Sequence, residues 1–268
     1  MVKRRSSTKD QSRVESEDLQ QIGDLHAAGG EFRKAAKHYE RARNGSGNNT
    51  SLLTRLADAY SAAWDERKAY RTYRQALQQD PDHPEANLGM GDLLMKAAQA
   101  RRAVRLYQRA VRREPERAWC RHKLAQAHFA LNQWMEAAQS LEVACELTPT
   151  DAFYHFELAE AYLQLGRVAE ALQMLEVSVR NAPMDEYYHV RLAAACLNVG
   201  DVGKAVSVFE RIVKLKPENA SFRCLLAMLY RKAGQSRLAT PHLKFLAELD
   251  PYDLDFIRRF ERLSAGQL

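Results

Sequence analysis

The chain has 268 residues, 46% of them apolar and 28% charged, with a formal net charge of +6. That much apolar material supports a sizeable core and excludes a disordered chain. With Gly at 12 positions and Pro at 8, a turn-rich β-sandwich is excluded too, and apolar runs broken within a few residues exclude a membrane-spanning helix.

Residues 1–15 are polar and basic, with Lys3, Arg4, Arg5, Lys9 and Arg13. No apolar stretch follows, so the segment reads as a disordered tail rather than an export signal, and the expected location is cytoplasmic. Beyond it the chain repeats every 34 residues, in rows 16–49, 50–83, 84–117, 118–151, 152–185, 186–219 and 220–253. The first row ends in the loose Asn44–Thr50 stretch, which predicts a looser junction there. Each later row ends near a proline, at Pro81, Pro115, Pro149, Pro183, Pro217 and Pro251. Four columns run through the rows. One is invariably alanine (Ala35, Ala69, Ala103, Ala137, Ala171, Ala205, Ala239). A second is small (Gly23, Ala57, Gly91, Ala125, Ala159, Ala193, Ala227). A third is apolar (Ile22 to Leu226), and a fourth is bulky (Tyr39, Tyr73, Tyr107, Leu141, Leu175, Phe209, Leu243).

Within a row the apolar positions recur at helical spacing, so each row predicts two helices of three to four turns crossing at the small columns. Gly30, Asn132, Gly166, Gly200 and Gly234 supply the left-handed residue that ends the first helix. Proline stops the second helix, and Asp151, Asp185, Asn219 and Asp253 cap the next first helix, with Pro84 compensating where His83 breaks that column. After the last row, Leu254, Ile257 and Phe260 form an apolar helix face over 254–268, read as a lid on the final repeat or, alternatively, a homodimer contact.

These columns resemble the tetratricopeptide repeat over about 16–253. The resemblance implies an all-α, right-handed α-solenoid whose concave groove is lined by the first helix of each repeat. One column departs from the family: where it carries Trp, this chain has Leu19, Leu53, Asn87, Arg121, His155, His189 and Arg223.

The groove positions of rows four to six supply Trp119, His122, Phe129, Phe153, Phe156, Tyr187 and Val190, read as a surface gripping an apolar peptide or helix. The competing reading packs Trp119 and Tyr187 between repeats. Some family members hold a C-terminal carboxylate with groove Lys and Asn. Here the ninth position of each row reads Asp24, Asp58, Asp92, Gln126, Glu160, Ala194 and Met228, and acids repel a carboxylate. The Asn ladder of the sugar-transferase members is also missing from the sixth position.

Charge is uneven. Residues 1–117 carry 23 Lys/Arg against 16 Asp/Glu. On the second helix of row three, Arg102, Arg105, Arg109 and Arg112 share a stripe, and Arg71 and Arg74 extend it from row two. This convex surface is the alternative site, for an acidic protein or nucleic acid. Cys120, Cys145, Cys196 and Cys224 are scattered, without a disulfide or metal-binding spacing. No phosphate loop, zinc pair or nucleophile elbow occurs. The expectation is a non-enzymatic scaffold or adaptor with no cofactor and no metal, whose partner is a protein or peptide segment. A third alternative, an accessory factor of a secretion or pilus machine, rests on the resemblance alone.

Overall fold

The computed structural model describes residues 3–46 and 49–247, and among them there are fourteen α-helices and no strand. The first helices of the hairpins are α1 (Lys3–Ala28), α3 (Thr50–Ala62), α5 (Pro84–Lys96), α7 (Ala118–Phe129), α9 (Ala152–Gln164), α11 (Glu186–Asn198) and α13 (Ala220–Lys232). Their partners are α2 (Phe32–Ser46), α4 (Glu66–Gln79), α6 (Ala100–Arg113), α8 (Trp134–Leu147), α10 (Val168–Asn181), α12 (Val202–Leu215) and α14 (Ser236–Ala247). Helix α1 starts at Lys3, so the tail expected over 1–15 is helical from that residue on. The expected lid and dimer contact over 254–268, and the cap Asp253, lie outside the described residues.

The chain divides into two compact units, Met1–Leu147 and Thr148–Leu268. In each, every helix packs on the next in sequence, and in the first unit α5 also touches α3 and α7. The alanine column is fully buried at all seven positions. In the first and third repeats the small column is glycine and a tyrosine from the bulky column lies against it; in the second, Tyr73 lies against Gly89 instead and the small position is the buried Ala57. A Cβ on Gly23 would stand 2.5 Å from the Tyr39 ring, and one on Gly91 would strike Tyr107. Where the bulky residue is Leu141, Leu175 or Phe209, alanine fills the small position and is itself buried. Ile22 in the first repeat and Leu243 in the last are exposed.

All seven hairpin turns share one backbone solution. Gly30, Trp64, Ala98, Asn132, Gly166, Gly200 and Gly234, one per row, have φ between +56° and +83°. Each turn closes with paired bonds of the type seen at Gly166, whose N–H donates to Leu163 while Arg167 N–H donates to Tyr162. Asn49, Asp151, Asp185 and Asn219 cap first helices through their side chains, and His83 does so through Nδ1; Arg117 makes no such bond.

The column that departs from the family's Trp has a shared task here. Asn87, Arg121, His155, His189 and Arg223 each place a side-chain nitrogen on the carbonyl of the proline six residues earlier, Pro81, Pro115, Pro149, Pro183 and Pro217 in turn. The proline that stops one helix leaves a carbonyl with no helical partner, and this column satisfies it.

Candidate functional site

In the second unit, α9 and α11 lie side by side in the hairpin stack and bring four aromatic side chains together. Phe156 packs on Tyr187 edge-on at 5.3 Å between ring centroids and on Tyr188 at 5.4 Å; Phe153 is 6.5 Å from Phe156. Phe156 and Tyr188 are buried, whereas Phe153 and Tyr187 keep 42% and 53% of their surface open. The result is an aromatic platform with a buried base and two open rings, held in offset and edge geometries that aromatic pairs favour.

In the first unit, Trp119 at the start of α7 is 44% exposed. Its ring stacks on His122 at 5.3 Å and carries the Lys123 ammonium at 4.7 Å. Lys123 in turn pairs with Asp92 at 3.1 Å. Phe129, at the other end of α7, is half-buried against Trp134, 5.8 Å away.

Apart from the half-buried Phe129, the residues expected to line a groove divide by position. Trp119, Phe153 and Tyr187, second in their rows, are exposed. His122, Phe156 and Val190, fifth in their rows, are buried. They are corrected here from anchors to supports, because they are buried, Phe156 against Tyr187 and Tyr188 of the next repeat and His122 against Trp119 of its own helix. The sequence holds a signal for this. The second position is polar and exposed in the first three rows (Glu17, Ser51, Glu85), while the fifth is buried Thr54 and Leu88 in rows two and three. Aromatics in a polar column are surface aromatics.

A second network was not visible from residue types alone. The ninth-position acids of the first three rows accept the hydroxyl of the bulky tyrosine fifteen residues on: Tyr39 donates to Asp24 at 2.7 Å, Tyr73 to Asp58 at 2.5 Å and Tyr107 to Asp92 at 2.6 Å. Burial and the adjacent carboxylate together hold all three phenols far above their ordinary range, so they remain donors. Two of these acids meet a base in the sixth position of the next row, in Asp24–Arg55 at 2.7 Å and Asp92–Lys123. In the second unit Glu160 and the buried Arg191 make a bidentate pair in that register.

The basic stripe lies on α4 and α6. Arg71, Arg74, Arg102, Arg105 and Arg112 are exposed and Arg109 is half-buried. Arg102 donates to Gln99 at 2.5 Å and to Tyr70 of α4 at 3.3 Å, which joins the two helices' faces. Arg71, Arg74, Arg105, Arg109 and Arg112 make no ion pair among the described residues.

Cys120, Cys145 and Cys196 are buried and none of the four cysteines is in a disulfide. Burial pushes the Cys120 and Cys196 thiols up to about 11, away from reactive thiolate character. Among the described residues no group of three His, Cys, Asp or Glu side chains could hold a metal ion, and no helix is long and apolar enough to cross a membrane.

Comparison with known proteins adds the following. A family model for the tetratricopeptide repeat matches residues 61–105, one for anaphase-promoting complex, cyclosome, subunit 3 matches 96–178, and one for a bacterial transcriptional activator domain matches 146–220. No curated protein matches the chain by sequence. Among solved structures, a MamA protein aligns with a TM-score of 0.59 at 21% identity over 64% of this chain and 94% of its own. MamA from Desulfovibrio magneticus RS-1 aligns at 0.58 and 18% identity, over 63% and 96%. A thermophilic TPR protein in Thermus thermophilus aligns at 0.51 and 21% identity, over 68% and 99%. These likenesses establish a shared fold.

Proposed function

The chain is a tetratricopeptide-repeat protein of the all-α solenoid class, and from that premise we propose that it is a non-enzymatic scaffold that grips a partner segment on the exposed faces of its first helices. The observation that carries this reading is the platform of the second unit, where Phe153 and Tyr187 stand open over buried Phe156 and Tyr188. A protein rarely leaves clustered aromatic rings half in water without a use for them. Covering the open parts of the two rings removes roughly 200 Å² from water, about 4 to 5 kcal/mol before ordering costs. Phe153→Ala with Tyr187→Ala removes both open rings and leaves the base in place. A partner captured from the native host should bind this double variant at least tenfold more weakly, with helical content unchanged; equal affinity refutes the reading.

A second reading concerns α4 and α6, and what favours it is the set of arginines there without a neighbouring acid. Such a face suits an acidic protein or nucleic acid. Arg102→Glu, Arg105→Glu and Arg109→Glu together should abolish retention on a phosphate resin, and unaltered retention counts against it. A cytoplasmic place is in keeping with four cysteines outside any disulfide.

A further inference from the structure

The series of acid–base contacts between ninth and sixth positions has one gap. Asp24 has Arg55, Asp92 has Lys123 and Glu160 has Arg191. For Asp58 the corresponding residue is Gly89, and Asp58 makes no ion pair among the described residues. The reason lies one helix away. The Tyr73 hydroxyl, which donates to Asp58, occupies the place where a Cβ on residue 89 would stand. A Cβ at 89 would run into that hydroxyl, so the sixth position supplies no base here.

What remains is an open cavity of about 460 Å³, whose lining includes Asp58, Tyr73, Gly89, Asp92, Lys96 and Lys123. That volume is within the range of pockets that hold whole small ligands, and ample for one long side chain. The Asp58 carboxyl reaches solvent but is crowded by the cavity walls; desolvation pushes it up to about 6, with Glu85 and Asp92 adding negative potential. Neither lysine at the cavity pairs with Asp58: Lys123 is held by Asp92 and sits over the Trp119 ring, and Lys96 sits over the Trp64 ring at 5.6 Å. A cation entering here would meet a carboxylate without an ion-pair partner in a partly desolvated recess, where charge-assisted hydrogen bonds are strong.

We propose that this notch takes the guanidinium or ammonium of an Arg or Lys on the bound partner segment, supplying from outside the cation that Arg55, Lys123 and Arg191 supply from within. The inference rests on the scaffold reading above and adds a charge requirement to it: the partner carries a basic residue at one fixed place.

The test uses the full chain and two fluorescein-labelled twelve-residue probes, one alternating Leu and Arg, the other Leu and citrulline, which has nearly the shape of Arg and no charge. Anisotropy titrations are run on the natural protein, on Asp58→Asn and on Asp92→Asn. Asn keeps the shape and still accepts the Tyr73 hydroxyl, so the fold is retained, which circular dichroism checks. The Arg probe should bind the natural protein at least tenfold more tightly than the citrulline probe. Asp58→Asn should erase that difference, and Asp92→Asn should change it less than threefold. In addition, Asp58→Lys should bind a Leu/Glu probe that the natural protein rejects. Equal binding of the Arg and citrulline probes, binding of neither, or equal effects of the two Asn variants overturns the proposal. Failure of the scaffold reading is separate, because it appears as unchanged partner affinity in Phe153→Ala/Tyr187→Ala, whose rings lie in the other unit.

Discussion

The shared turn allows a quantitative test at Ala98. This residue sits at φ +56° in the column where four of seven rows have glycine. A side chain in the left-handed region costs roughly 1 to 2 kcal/mol, from the clash of Cβ with the following carbonyl. Replacing Ala by Gly removes that cost but gives the unfolded chain more freedom, worth roughly 0.4 to 1 kcal/mol in the opposite direction. Ala98 is exposed, so no packing is lost. Ala98→Gly should therefore stabilise the α5–α6 hairpin by about 0.5 to 1 kcal/mol, slowing local amide exchange there about two- to five-fold. Gly166→Ala is the mirror experiment. A Cβ there would meet nothing within 4 Å, so only backbone strain is introduced and the α9–α10 hairpin should lose a similar amount. Trp64→Gly should come out near zero. It relieves the same strain at φ +65°, but it also removes the Lys96 ammonium's seat, 5.6 Å from a ring that is 81% exposed, a contact worth about 0.5 to 1 kcal/mol. Hydrogen exchange read hairpin by hairpin, with urea titration of the whole, decides the matter. Faster exchange in α5–α6 for Ala98→Gly, or no loss for Gly166→Ala, would refute the argument from φ.

Gly91→Ala should destabilise the third hairpin by about 1 to 3 kcal/mol because its Cβ runs into Tyr107; adding Tyr107→Leu, the pairing used in the fourth and fifth rows, should restore most of it, as thermal melts would record. Arg191→Ala should cost about 3 kcal/mol by leaving Glu160 without its partner, and a double-mutant cycle with Glu160→Ala should recover part of that loss; additive losses would mean the pair is not coupled. The Asp58 carboxyl lies at about 6 in the fold against an ordinary 3.8. Between those values the folded state holds more proton than the unfolded one, so stability falls as pH rises through that window. Urea midpoints from pH 4 to 7 should decline less steeply in Asp58→Asn than in the natural protein, and parallel profiles would contradict the assignment.

The hairpins, their turns and their core columns were legible in the sequence because each is a local demand repeated seven times. Alanine at a helix crossing, a left-handed residue after a first helix and a proline after a second recur wherever the same geometry recurs. The candidate surface was legible only in part. Second and fifth positions are aromatic or apolar throughout rows four to six, and helical spacing alone cannot say which of Phe153 and Phe156 turns to the next repeat. In the other rows the second column is polar at Glu17, Ser51, Glu85 and Ser221, while the fifth holds Gln20, Thr54, Leu88 and Cys224, so only Leu88 and Cys224 mark the fifth as the inward column. The tyrosine–aspartate bonds were hidden for a different reason. Tyr39, Tyr73 and Tyr107 read as bulky core and Asp24, Asp58 and Asp92 as solvated acids, and only the packed hairpin brings the phenol tip of one to the carboxylate of the other.

That pairing changes how the binding readings are told apart. In the first unit the acids Asp24, Asp58 and Asp92 are on first helices, and the arginines without acid partners are on the second helices α4 and α6. A partner gripped at the Asp58 notch and a polyanion on the arginine face would both lose affinity as salt rises, since both contacts are ionic. Salt titration alone therefore cannot distinguish them. Variants at each surface can. Asp58→Asn should release a partner held at the notch and leave one held by α4 and α6 in place; Arg102→Glu with Arg105→Glu and Arg109→Glu should do the reverse. A partner released by neither, yet lost in Phe153→Ala/Tyr187→Ala, would be held by apolar burial on the second unit's platform. One released by the arginine reversal alone would assign the work to the arginines and leave both first-helix surfaces without a demonstrated role.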